Sequence, residues 1–193
     1  MENIRFLAPT TRRRLRRQER AQEKKDSYAS IVELNTIVQD LLLLLTPIGA
    51  DGTRIDCALA ESPLYVSMNE RELYRAVHHL LLYAISAVSP SQEHPSRQGI
   101  IHVLSGSSNA GVKEIFLEIS DNGISLPDDV KNALSSNLPV DRETKKSQLV
   151  FPLVKRIIEM NCGRLHVASP RPDIGCGTLF RVELPQAPLT DAP

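Results

Sequence analysis

The sequence predicts an α+β two-layer sandwich, a mixed and mostly antiparallel sheet covered on one face by helices. Three observations predict it. Segments whose apolar residues recur at helical spacing are interleaved with segments that alternate with a period of two, in the order helix, two strands, helix, two strands, polar segment, helix, two strands. A Gly/Ser/Asn stretch from Ser105 to Val112 joins two of the strands in the manner of a hairpin. Hydrophobic residues make up 41% of the chain but aromatics only 4%, with no Trp, so the core between the layers is aliphatic.

The same composition bounds function. The 193 residues suffice for one domain with a real core plus an extension. The scarcity of aromatics argues against a stacking platform for single-stranded nucleic acid. Cys57, Cys162 and Cys176 are odd in number, and their spacings fit no metal site. They read as reduced thiols in a cytoplasmic protein. The longest apolar run, Leu41 to Leu45, is far too short for a membrane span, and no apolar segment follows the N-terminal charges as in a secretion signal. The net charge is zero but uneven: residues 1–30 hold nine Lys/Arg and four Asp/Glu, the remainder 14 and 19.

Residues 1–29 form a basic helical or flexible arm, 30–185 the folded domain and 186–193 a tail. In the arm, Arg12, Arg13, Arg14, Arg16 and Arg17 invite contact with phosphate, in nucleic acid or an anionic surface. An acidic protein surface or plain solvation fits them as well. A lead helix is expected from Ser30 to Thr46, with Ile31, Leu34, Val38, Leu41, Leu42 and Leu45 at helical spacing and Thr46-Pro47 as its stop. Arg54 to Met68 reads as two neighbouring strands separated by Glu61-Ser62-Pro63. Asn69 then caps a central helix to about Ser89, with Glu72 placed for a capping box and Leu73, Val77, Leu80, Leu81, Ala84, Ile85 and Val88 as its apolar stripe. His79 and Tyr83 lie four apart on one side of it. The adjacent His78 and His79 point different ways and make poor joint metal ligands.

Ile100 to Leu104 is a strand, and Glu114 to Pro127 holds the next. Ile115, Leu117 and Ile119 alternate with Phe116, Glu118 and Ser120 before Asp121-Asn122-Gly123 turns the chain. That sets a carboxylate at the mouth of a strand, able to accept a hydrogen bond from an amino group in a pocket. Asp128 to Leu134 suggests a short helix, and a polar segment running to Gln148 reads as a flap. A helix follows from about Val150 to Asn161, with Pro152 in its first turn and Gly163 as its stop. Leu165 and Val167 mark a strand, and Gly175-Cys176-Gly177-Thr178 is a tight turn into the last one, Thr178 to Leu184.

In this order and with these motifs, Ser30 to Pro185 resembles the ATP-binding domain of sensor histidine kinases, in the family shared with DNA gyrase, Hsp90-type chaperones and MutL. Asn69 to Ile85 looks like the helix whose two asparagines face the nucleotide. Asp121-Asn122-Gly123 looks like the Asp-x-Gly-x-Gly motif. Leu153 to Glu159 followed by Gly163 is close to the helix after the phosphate loop, and Gly175 to Pro185 to the terminal Gly-x-Gly-Thr strand. The resemblance implies a Bergerat-type fold and a pocket holding Asp121, Gly123 and Thr178 at its adenine end.

The chain departs from the pattern at the other end. The magnesium-binding asparagine falls at Tyr83 and the earlier one at His79. The second glycine of the Asp motif falls at Ser125, and the phosphate loop at Lys146-Ser147-Gln148, where no glycine remains. A neutral phenol is a poor ligand for a hard, octahedral cation, and a phosphate cradle needs free backbone amides at a helix start. No histidine precedes His78, and little chain lies ahead of Ser30 for the family's phosphorylated hairpin. The expectation is a degenerate domain without cofactor that binds a histidine kinase, a response regulator or its own copy. The alternatives are a kinase domain of histidine-kinase or anti-sigma-factor type that keeps Mg-ATP, and a nucleic-acid adaptor acting through the arm.

Overall fold

A computed structural model describes residues 30–46, 52–89, 98–108, 113–135 and 146–188. The basic arm and most of the expected flap lie outside these residues, as does the tail beyond 188. The elements are β1 (Ser30–Glu33), α1 (Leu34–Leu45), β2 (Arg54–Ala58), β3 (Tyr65–Met68), α2 (Glu70–Val88), β4 (Ile100–Ser108), β5 (Glu114–Asp121), α3 (Asp128–Ser135), α4 (Lys146–Met160), β6 (Arg164–Ala168) and β7 (Leu179–Pro185).

Five strands form the main sheet in the order β2-β4-β5-β7-β6. Among the described strands only the β2–β4 pair is parallel. A parallel pair needs a crossover, and α2 lies within that connection. The inward residues of the ladder, Ile101, Val103, Ile115, Leu117, Ile119, Phe180, Val182 and Leu184, are all at most 3% exposed. They meet the stripe expected of the central helix, of which Leu73, Val77, Leu80, Leu81, Ala84, Ile85 and Val88 are all buried. Each fully buried aliphatic side chain there contributes about 1.5–3 kcal/mol, so this interface carries the fold. The outer face of the sheet stays polar. Arg164 bonds both oxygens of Glu114 at 2.7 and 2.8 Å, and Arg181 bonds Glu118 while its guanidinium sits 4.3 Å over the Phe116 ring.

Several boundaries differ from the sequence reading. The lead helix begins at Leu34, because Ser30 to Glu33 pair with β3 as an edge strand. Glu33 then acts as the cap: its carboxylate accepts from the Asn35 and Thr36 amides at 3.1 and 2.5 Å, and from the Leu64 amide at 3.0 Å. β2 and β3 are not partners. β3 joins β1 in a separate two-stranded ribbon, while β2 is the parallel edge of the main sheet. β4 continues to Ser108, past the point where the hairpin turn was expected. It does so because Ser105 is an inward position with a use. The Ser105 hydroxyl donates to Asn35 Oδ1 at 2.7 Å and accepts from the Ala60 amide at 3.1 Å, and Asn35 Nδ2 donates to the Ala60 carbonyl at 3.0 Å. This closed triangle pins α1 to the sheet with its polar atoms satisfied.

The last helix starts at Lys146, so Pro152 lies in its interior and not in its first turn. Pro152 cannot donate to the Gln148 carbonyl, a local loss that the packing of Phe151, Val154 and Ile158 outweighs. Its stop is also displaced by one residue. Cys162, not Gly163, takes the left-handed conformation (φ 59°). The Cys162 amide bonds the Glu159 carbonyl and the Gly163 amide the Ile158 carbonyl, the two bonds of a Schellman cap. Gly163 is needed for space, since a Cβ there would press on the Glu183 carbonyl.

Candidate functional site

The period of β5 decides where its last residue points. Ile115, Leu117 and Ile119 face the helices, so Asp121 does too, and it is 0% exposed. Its Oδ1 accepts from the Gly123 amide at 2.8 Å. Its own amide donates to the Thr178 carbonyl at 2.9 Å, which ties the Asp-Asn-Gly turn to the start of β7. Oδ2 is buried and has no hydrogen-bond partner among the described residues. Burial pushes the carboxyl up to about 6, against the opposite pull of the Gly123 and Thr178 backbone amides and the Arg171 cation.

Gly123 and Gly177 allow this corner to close. A Cβ on Gly123 would strike the Ala87 carbonyl near the end of α2, and one on Gly177 (φ 69°) would strike the carbonyl of Asp121 itself. Asn122 locks the other side: Oδ1 accepts from the Ile100 amide at 2.8 Å and Nδ2 donates to the Gln98 carbonyl at 3.0 Å.

Tyr83 reaches this corner from α2. Its hydroxyl lies 3.5 Å from Thr178 Oγ1 and 3.4 Å from the Ile124 carbonyl. Its ring meets Phe151 and Phe180 edge-on at 5.1 and 5.5 Å, and those two stack at 5.3 Å. Burial raises the phenol's pKa; the Thr178 bond opposes this and the Asp121 charge adds to it. The structure thus brings together Asp121, Gly123, Thr178 and Tyr83. His79, one turn before Tyr83, is tied instead to its own helix, with its ring edge-on to His78 at 5.6 Å. Burial, then His78 and Arg75, hold its imidazole below the usual range.

Three participants escaped the sequence reading. Ser169, after β6, accepts from the Leu126 amide at 2.7 Å and lies 3.2 Å from the Gly177 carbonyl and 3.0 Å from Thr178 Oγ1. Arg171 donates to the Asp121 carbonyl at 3.3 Å while clamped on Asp173. Phe151 carries the aromatic packing. The Ser-Pro-Arg-Pro-Asp turn between β6 and β7 was the available signal for the first two.

A cavity of about 270 Å³ opens beside the site, at the C-terminal end of α2. Val88, Gln98, Asn122, Gly123, Ile124 and Cys176 help line it, and Asp121, Tyr83 and Thr178 do not. Lys146 to Gln148, the expected phosphate loop, form the first turn of α4. Among the described residues no group of three His, Cys, Asp or Glu is placed to hold a metal, and Cys57, Cys162 and Cys176 form no disulfide.

An α+β sandwich with a buried carboxylate at the end of a central strand, facing a helix across a Gly-x-Gly-Thr turn, defines an ATP-binding domain of the histidine-kinase class. The chain belongs to the histidine kinase-, DNA gyrase B- and HSP90-like ATPase family, whose model matches residues 68–188. Among solved structures it is similar to the mycobacterial sensor histidine kinase MprB (TM-score 0.64, 22% identity, 83% of this chain and 99% of that one). It is also similar to the nucleotide-free catalytic domain of the histidine kinase ThkA (0.62, 16%, 82% and 95%). Full-length ShkA, solved in complex with AMPPNP, matches at 0.62 and 16% over 82% of this chain and 31% of that one. At these identities the likeness is one of fold. No curated protein sequence matches the chain. Among the described residues no helix is long and apolar enough to cross a membrane.

The site fits an adenine nucleotide at one end only. The unpartnered Oδ2 suits an amino donor. Across the corner the phenol of Tyr83, a poor ligand for a hard cation, is packed against Phe151 and Phe180.

Proposed function

We infer that this is a non-catalytic member of its family, a degenerate ATP-binding domain that acts by binding a protein in bacterial two-component or related signalling. Its partner is a histidine kinase, a response regulator or a second copy of the chain. The observation that carries this reading is Tyr83: at the position where the resemblance implies a magnesium-binding asparagine, its ring is wedged between Phe151, Phe180 and the Thr178 hydroxyl. The lack of any glycine at Lys146 to Gln148 supports it, because no residue there has glycine's freedom to bend backbone amides around a triphosphate.

Calorimetric titration with ATP, with and without magnesium, tests it. No heat and no thermal shift are expected; tight, magnesium-dependent binding overturns it. A second reading is favoured by the orphan oxygen of Asp121: the domain keeps nucleotide and works as a kinase of histidine-kinase or anti-sigma-factor type. Tyr83→Asn separates the two. On the first reading wild type and variant both stay at background hydrolysis, because Lys146 to Gln148 still lack a glycine; turnover by the wild type favours the second, and turnover by the variant alone overturns the argument from the phosphate loop.

A further inference from the structure

The outer face of α2 holds charge that the rest of the domain does not neutralise. Among the described residues, Arg54, Lys131, Lys155, Arg164, Arg171 and Arg181 each lie within 4.0 Å of a carboxylate. Arg71 and Arg75 are exposed and have no carboxylate partner among the described residues. They stand one turn apart on α2, on the side away from its buried stripe. Between and beyond them lie Tyr74, 37% exposed, and His78, whose rings stack at 6.2 Å and 8°. The nearby carboxylates are Glu70, exposed at the helix start, and Glu72, whose Oε2 lies 3.5 Å from Asn161 Nδ2. The cations are felt locally, since His78 and Arg75 help to depress His79.

We propose that the α2 face formed by Arg71, Tyr74, Arg75 and His78 is a docking surface for an acidic segment of a partner protein. This rests on the reading of the domain as a protein-binding module and names one of its surfaces. Arginine and tyrosine are the side chains that most often carry interface energy, and unpaired guanidiniums pair bidentately with carboxylates. Arg71 to His78 spans about 10 Å along the helix, the length of a short acidic patch. A long polyanion fits less well. Beyond residue 30 the chain holds 19 acidic and 14 basic residues, a net negative balance that disfavours a polyanion extending well past the stripe.

The test uses the full chain and the fluorescence anisotropy of a dye-labelled glutamate–tyrosine peptide, with a short DNA duplex carrying the same dye. Arg71→Glu/Arg75→Glu is compared with Lys113→Glu/Arg156→Glu, which changes the net charge equally at exposed cations elsewhere. Peptide binding at least about tenfold weaker in the α2 pair, with far less change in the control pair, is expected, since two charge pairs become repulsions. Arg71→Gln/Arg75→Gln should give a smaller loss in the same direction, and thermal melts by circular dichroism confirm that each variant folds. No binding by the wild type, equal weakening by both pairs, binding that persists in the α2 pair, or tighter binding of the duplex through the same arginines overturns the proposal. The ATP titration reports separately. Tight ATP binding beside α2-dependent peptide binding removes the non-catalytic reading and leaves the surface standing; absence of both does the reverse.

Discussion

At one end of the site a carboxylate oxygen is buried without a partner; at the other, three aromatic rings pack edge-on and stacked. The two ends lie in one corner and share Thr178, whose backbone holds Asp121 and whose hydroxyl meets Tyr83. The first end is costly as it stands, because a buried, unmatched acceptor forfeits its hydration. The second is self-satisfied: its rings gain contact from one another. Two contrasting environments thus sit side by side in one corner, one with an unmatched acceptor and one filled by the protein's own rings.

The largest expected effect tests whether the filled end is core. Phe180 is 0% exposed and touches both other rings. Phe180→Ala should cost about 3–5 kcal/mol in chemical denaturation. A loss below about 1 kcal/mol would mean the rings do not form a packed unit and the phosphate end is open.

The empty end is tested by pH. An unfolded Asp121 titrates near 3.8 and the folded one at about 6. Below the first value both states hold the proton. As pH rises between the two, the unfolded chain releases it and the folded one keeps it, so stability falls, by about 3 kcal/mol once pH passes 7. Asp121→Asn has no such titration. Its stability relative to wild type should therefore improve by about 2.4 kcal/mol between pH 4 and pH 7, while protein-partner binding is unchanged. A flat difference across that range would mean the carboxylate already has its partner, and the comparison between the ends would collapse.

Much of this was legible in the sequence, for reasons that differ by residue. The helix, the strands and the Asp121–Gly123 turn announce themselves through period and local chemistry, and the side of the sheet that Asp121 faces follows from the parity of Ile115, Leu117 and Ile119. What was not legible depends on tertiary partners. Ile31 and Val32 match a helical stripe but pair with Val66 and Ser67, because an edge was available there. Pro152 looked like part of a first turn because the residues that open the helix, Lys146, Ser147 and Gln148, are polar and carry no apolar pattern. Ser169 and Arg171 are ordinary turn residues until β6 and β7 bring them under Asp121 and Thr178. His79 and Tyr83 lie one turn apart on α2, yet only Tyr83 reaches the corner.

The smallest expected effect separates the two things Tyr83 brings. Both of its hydroxyl contacts, at 3.4 and 3.5 Å, are at the far limit of hydrogen-bond length. Tyr83→Phe keeps the ring against Phe151 and Phe180 and gives up only those contacts, so it should change stability by less than about 1 kcal/mol. Tyr83→Asn removes the ring and should cost about 3 kcal/mol, the range for truncating a packed aromatic. The ratio of the two, measured under one set of denaturation conditions, says whether Tyr83 fills the site or latches it. If the phenylalanine variant lost as much as the asparagine one, the hydroxyl bridge from α2 to Thr178 would be what closes the phosphate end. That end would then be a latch able to open and not a filled core.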